Sequence, residues 1–306
     1  MISVRRWRLL IGVFLTILPL GAVAEEGPRF QMTPDGTGYR LSWNDQVFAE
    51  FVPGDEKTPR PYFHRLTTPS GRVVTRNHPP LAGRDKVDHP HMHPGFWLAL
   101  ADLNGVDFWR LKGRVLSQVQ QPIDKDGFTT RERYFNAAGQ EIATGTTRYR
   151  FARQPEGVLI DATLELQSPD GLTLGDQEEM GFGVRVATPL NVENGGQILN
   201  SHGQKNGAEV WGKTAKWCDY SGRIDGQDCG LLLVPHAGKF RPSWFHARDY
   251  GLLVANPFGR KAFGQGEASH VVVPANTSFR WGVSLLIHEG AIDLAAAADR
   301  MVKRRK

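Results

Sequence analysis

Two stretches of this chain alternate apolar and polar residues with period two, and they constrain its fold more than any other feature. From Val158 to Leu166 the apolar positions are Val158, Ile160, Ala162, Leu164 and Leu166, with Asp161, Thr163 and Glu165 between them. From Phe279 to Ile287 the odd positions read Phe279, Trp281, Val283, Leu285 and Ile287. A strand sends successive side chains to opposite faces, so the pattern predicts strands with one face in a core. Gly230 to Val234 and Gly251 to Ala255 are shorter continuous apolar runs, as in strands buried on both faces. Such segments recur between clusters of Gly, Pro, Asn and Asp, with no β-α-β rhythm. The expected class is all-β, with stacked antiparallel sheets. Only residues 291–306 read as helix. Asp293 in the first turn and Lys303-Arg304-Arg305-Lys306 at the end both suit the helix dipole.

The first 24 residues have the three zones of a secretory signal peptide. Arg5, Arg6 and Arg8 precede an apolar run from Leu9 to Leu20, and Ala22-Val23-Ala24 supplies the small residues of a cleavage site. The run is shorter than the ~20 residues of a spanning helix, and no later stretch is long enough. Arg5-Arg6 also permits a twin-arginine reading, although the rest of that pattern is poor. The expectation is cleavage after Ala24 and a periplasmic or secreted protein, with residues 25–306 as one β-sandwich domain. The formal charge of +5 includes three cations and no acids from the leader, so the pI near 9.3 carries no signal for nucleic acid. No feature sets an oligomeric state.

Cys218 and Cys229 are the two cysteines. In an oxidising compartment the default is a disulfide, and the turn-rich segment between them would let it tie neighbouring segments across a hairpin.

Three clusters carry candidate chemistry. In Asp88-His89-Pro90-His91-Met92-His93-Pro94-Gly95-Phe96-Trp97, an extended backbone would place His89, His91 and His93 on one side, roughly 7 Å apart. That arrangement builds a divalent-metal site, or a proton-transferring pocket without metal. Pro90 and Pro94 oppose a regular strand, and Pro94 to Leu100 lacks the carboxylate a cupin-type site would want. A packed loop with locally bonded histidines is the third reading. In Trp244-Phe245-His246-Ala247-Arg248-Asp249-Tyr250, a strand would align Trp244, His246, Arg248 and Tyr250, an aromatic and cationic platform suited to a hydroxyl-rich ligand. A solvated sheet face is the alternative. In Gln177-Glu178-Glu179-Met180-Gly181-Phe182-Gly183-Val184-Arg185-Val186, the apolar even positions Met180, Phe182, Val184 and Val186 face a core. Glu179, Gly181, Gly183 and Arg185 share the other side, where glycines would let a ligand approach the backbone. Glu179 and Arg185 stand roughly 20 Å apart along an extended chain, so each needs its own partner. Glu179 is the candidate general base; a surface acid is the competing reading.

Taken in order, several motifs form a combined pattern: Arg60-Pro61-Tyr62-Phe63-His64, Asn77-His78-Pro79-Pro80, the His89–Trp97 block, Asn104 to Trp109 and Glu178 to Arg185. Trp211-Gly212-Lys213, Trp217 to Gly222, Arg248-Asp249-Tyr250-Gly251 and Ala255-Asn256-Pro257-Phe258-Gly259 complete it. This pattern, from about Phe48 to Leu286, resembles a bacterial family catalogued as "methane oxygenase PmoA". The label itself fits poorly, because a membrane monooxygenase subunit has several spans. The resemblance implies a β-supersandwich similar to galactose mutarotases and related carbohydrate-active proteins. Sites of that kind use a carboxylate base and histidines around a sugar ring. Glu179 would then be the base, His93 or His246 the acid and Arg248 an oxygen ligand, with His89, His91, Trp97, Arg185, Trp244 and Tyr250 lining the ligand. The leading expectation is an exported enzyme doing acid–base chemistry on a glycoside or keto sugar. The competing class is a non-catalytic sugar-binding module, with a metal-dependent oxygenase ranked third.

Overall fold

The computed structural model describes residues 30–305 apart from 237 and 239. The leader expected at residues 1–24 lies outside the described residues. Two large sheets make up most of the chain. The nine-stranded sheet runs β1 (Phe30–Asp35), β2 (Gly38–Trp43), β3 (Gln46–Val52), β4 (Tyr62–His64), β5 (Phe96–Ala99), β11 (Gly181–Arg185), β17 (Leu252–Asn256), β16 (Trp244–Arg248) and β13 (Lys213–Thr214). The eight-stranded sheet runs β12 (Gln197–Asn200), β14 (Cys218–Ile224), β15 (Gln227–Pro235), β19 (Ser278–Glu289), β9 (Gly157–Gln167), β8 (Glu141–Gln154), β7 (Gly127–Phe135) and β6 (Arg114–Val119). A small pair joins β10 (Leu172–Leu174) to β18 (Val271–Val273). The pairings in all three sheets are antiparallel, which bears out the all-β expectation.

The inner faces of the two sheets meet in an aromatic core. Phe51 lies 5.0 Å from Phe63 and 4.9 Å from Phe128, and Phe182 lies 4.9 Å from Trp281 between ring centroids. The residues that alternate inward along β9 (Val158, Ile160, Ala162, Leu164, Leu166) are all buried in this core, as the period-two pattern requires. Leu159 departs from the alternation and is buried as well, because the outer face of the eight-stranded sheet is partly covered. Helix α2 (Leu294–Arg304) lays Ala297, Ala298 and Met301 over Leu159, Leu232, Val234 and Leu286. The helix begins where Asp293 accepts a hydrogen bond from the Ala296 amide at 3.0 Å, leaving residues 291–293 outside it. A shorter helix, α1 (Asn206–Val210), precedes β13.

The expected disulfide does not form. Both cysteines are free and buried. They do sit on adjacent strands and point inward, but Cys218 pairs in register with Leu233, and Cys229 with Gly222. Four residues of offset place them roughly 13 Å apart along the strands, beyond the reach of a disulfide, whose Cα atoms lie no more than about 7 Å apart.

Candidate functional site on the outer face of the larger sheet

The register of β4, β5, β11, β17 and β16 sets three adjacent rows on the outer face. One row holds His64, Arg185, Leu252 and Arg248; the next holds Tyr62, Trp97, Gly183, Val254 and His246; the third holds Gly181, Asn256 and Trp244. Strands stand about 4.8 Å apart, so residues of the three sequence clusters are brought onto one face. Each cluster needed the others' strands to reach it.

The histidine block is not extended. It coils around the buried guanidinium of Arg76, whose Nη1 donates to the carbonyls of Lys86 and Asp88, both at 2.8 Å, and whose Nη2 donates to that of His93 at 3.2 Å. His89 takes a positive φ of 46°, and the His93 amide bonds back to the His89 carbonyl at 3.3 Å. The turn breaks the expected alignment. His89 and His93 stack on each other, with centroids 4.6 Å apart, while His91 lies apart from them and its carbonyl accepts from the Thr58 hydroxyl at 3.1 Å. Among the described residues no group of three His, Cys, Asp or Glu side chains is placed to hold a metal ion, so the site allowed for His89, His91 and His93 is not assembled.

Asp88 is the electrostatic centre of the loop. It takes a bidentate pair from Arg185 (2.7 and 3.1 Å), another bond from Arg76 (3.0 Å) and a contact with His89 Nδ1 (3.1 Å). Burial alone would raise its pKa, but Arg185, His89 and Arg76 together hold the carboxyl below the ordinary aspartate value. Arg185 also lies 3.2 Å from His93 Nδ1. A guanidinium has only donors, so Nδ1 accepts and the neutral ring carries its proton on Nε2. Burial, reinforced by Arg185, keeps His93 well below the usual histidine pKa. Its ring stacks 5.3 Å from Trp97, whose indole lies under Gly183. A Cβ at Gly183 would come within 2.9 Å of that indole, so this glycine makes room for Trp97 rather than for a ligand.

Glu178 and Glu179 sit in a bend before β11. The bend is pinned by Asn256, whose Nδ2 donates to the carbonyls of Gln177 (2.7 Å) and Glu178 (3.0 Å). It is closed at Gly181, where φ is 131° and a Cβ would collide with the Ala255 carbonyl. Glu179 is largely covered and ion-pairs with Arg110, which also binds Asp107 at 2.9 Å. Burial outweighs Arg110, with Glu178 adding to it, and the Glu179 carboxyl is pushed above the usual glutamate value. Glu178 meets Arg248 at 3.4 Å, and Arg248 lies over the Trp211 ring at 5.3 Å. His246 Nδ1 is 3.7 Å from Glu178, beyond hydrogen-bond reach. Burial first, then Arg248, lowers His246 to about 3, so that contact is not ionic near neutral pH. Tyr250 closes the arc: its ring lies 4.4 Å from the Arg185 guanidinium and 6.2 Å from His89.

Of the residues singled out in the sequence, His89, His93, Trp97, Glu179, Arg185, His246, Arg248 and Tyr250 form this one arc. Trp244 shares the face in the outermost row, and His91 stands outside. Glu179 and Arg185 each find a separate partner, Arg110 and Asp88. Sequence reasoning passed over Asp88, Arg76, Glu178, Arg110 and Trp211 as site residues. Asp88 and Glu178 lay inside the flagged motifs, but Arg110 meets Glu179 only across a long separation in the chain.

Fold and site together define an all-β, two-sheet protein with a charged and aromatic site on the outer face of its larger sheet. The chain belongs to a family of unknown function, DUF6807, matched over residues 39–302. That description assigns no activity and gives the methane-oxygenase label no support. No curated protein matches the sequence. Among solved structures, a galactose mutarotase-like protein from Lactobacillus casei ATCC 334 is similar, at 10% identity and a TM-score of 0.38, over 85% of this chain and 100% of its own. The Slr1438 protein from Synechocystis sp. PCC 6803 aligns at 12% identity and a TM-score of 0.34, over 85% and 96% of the two chains. The GH36 alpha-galactosidase AgaA from Geobacillus stearothermophilus aligns at 10% identity and a TM-score of 0.36, over 88% of this chain and 42% of its own.

Proposed function

We propose that this chain is an exported carbohydrate-active enzyme that performs acid–base chemistry on a glycoside or keto sugar at the Glu179 face. The observation that carries the reading is the Glu179 carboxyl itself. It is largely covered, raised by burial and flanked by Glu178 and Arg110, and Tyr250 and Arg248 are near enough to sense or share its surroundings. A carboxyl moved toward neutrality exchanges protons more readily at physiological pH than an ordinary glutamate. Arg248, part-exposed beside Glu178 and over the Trp211 ring, is placed to donate to sugar oxygens. His93 and His246 stay neutral near pH 7 and are buried beneath the face, so they support it from below and Glu179 moves the proton. Export is the reading of residues 1–24, and secretion of the full-length chain with cleavage after Ala24 would test it.

The competing reading is a sugar-binding module that holds its ligand on the same face without turnover. A panel of glycosides and 3-keto-glycosides, assayed in parallel for binding and for turnover, separates the two. Turnover of at least one member supports the enzyme; binding throughout without turnover leaves the module; no binding to any member removes both.

A further inference from the structure

The outer face of the eight-stranded sheet, on the opposite side of the sandwich from Glu179, holds a concavity of about 710 Å³. It is lined by Lys125, Arg148, Arg280, Arg304 and Arg305, together with Arg150. The strands fix their spacing. Arg148 and Arg150 lie two residues apart on β8, opposite Thr163 and Asp161 of β9, and β19 brings in Arg280 from the far side of β9. The end of α2 supplies Arg304, and Arg305 follows it.

Most of the acids in this basin already have partners. Arg150 pairs with Asp124 at 3.0 Å and also with Asp126. Asp161 accepts from the Ser284 hydroxyl at 2.7 Å and lies 3.4 Å from His236. Glu165 faces Arg280 across the strands without an ion pair. Among the described residues, Lys125, Arg148, Arg280 and Arg304 have no ion-pair partner. Arg305 donates through Nε to the Met301 carbonyl, while its two terminal nitrogens are buried with no hydrogen-bond acceptor. Arg305 feels the charge of Asp161 and Arg280 stands opposite Glu165, yet six cations still outnumber Asp124, Asp126, Asp161 and the neighbouring Glu165 in this concavity.

Among the described residues the lining contains no Phe, Tyr or Trp, so stacking on a neutral sugar or on a nucleobase has no broad platform here. None of the exposed large apolar residues, Leu81, Val87, Leu116 and Val272, lines it, so there is nothing to insert into a lipid surface. What remains is recognition by guanidinium forks, whose planar donors match carboxylates two at a time, within a volume typical of small-ligand sites. We propose that this basin is a second binding site, and that it holds a carboxylate-bearing glycan such as a polyuronate chain. The proposal rests on the carbohydrate reading for its choice of glycan, but the basin is independent of Glu179.

The test is calorimetric titration of the mature protein with polygalacturonate fragments at rising salt. It is run alongside the double variant Arg148→Gln/Arg280→Gln, Arg248→Ala at the other face, neutral dextran and phosphatidylglycerol vesicles. The expected result is salt-sensitive binding of polygalacturonate and none of dextran. The double variant, at two exposed positions, should bind about tenfold or more weakly, and Arg248→Ala should bind like wild type. No binding, binding unchanged in the double variant, or vesicles bound in preference to polygalacturonate would overturn the proposal. Loss in Arg248→Ala alone would also overturn it while leaving the Glu179 reading intact.

Discussion

Replacing Asp88 by Asn removes one charge and almost no volume, yet it should be among the most costly substitutions in the molecule. Arg76 and Arg185 have side chains only 1% exposed, and Asp88 is the carboxylate paired with both. Leaving buried charge uncompensated costs ~3–5 kcal/mol. Asn retains one acceptor oxygen, which places the expected loss at the lower end, about 3 kcal/mol. For a chain of this size that corresponds to a fall in Tm of roughly 6–12 °C. The pH dependence is equally specific. The Asp88 pKa is lowered in the folded state, so its contribution is complete above the unfolded aspartate value and is lost as pH falls through the folded one. The wild-type advantage over Asp88→Asn should therefore stay constant from pH 8 to about 5 and shrink below about 4. Urea denaturation at several pH values measures it. A difference under about 0.5 kcal/mol at pH 7, or one that grows on acidification, would refute the argument.

Three further expectations come from the same geometry. Gly183→Ala puts a methyl against the Trp97 indole; it should cost ~1–3 kcal/mol and shift tryptophan emission, whereas an unchanged protein would mean that the space is open. Titration of the unfolded, unreduced protein with a thiol reagent should count two free thiols, and a count of zero would restore the disulfide. The folded pKa of His246 is depressed to about 3, so the unfolded chain takes up a proton below about pH 6.5 that the folded chain does not, and stability falls on acidification. His246→Asn should flatten that slope by about 1.4 kcal/mol per pH unit between pH 6 and 4; an imidazole NMR titration midpoint near 6.5 in the folded wild type would contradict this.

The strands were legible because burial imposes a period of two and the sequence keeps it, as along β9 and at the start of β19. The alignment of His246 with Arg248, and of Gly183 with Arg185, followed from the same rule. What could not be read were contacts made by turns and by register. The histidine block is bent by Arg76, thirteen residues before His89, and no local signal announces a guanidinium that collects carbonyls. The cysteines were placed on neighbouring strands correctly in kind, but a hairpin's register depends on its turn, and four residues of offset separate the sulfurs. Gly183 read as an opening because a glycine in a strand only marks close approach; which group approaches is decided by Trp97 on another strand.

The central claim is that Glu179 moves a proton on a bound sugar, and its most direct test is kcat/KM for wild type and Glu179→Gln on the best substrate of the glycoside panel. A fall of about 10²- to 10⁴-fold is expected, with sugar affinity little changed, because the amide keeps the shape of the face but loses the carboxylate charge paired with Arg110 and the ability to take up and release a proton. Equal kcat/KM in the two proteins would contradict it.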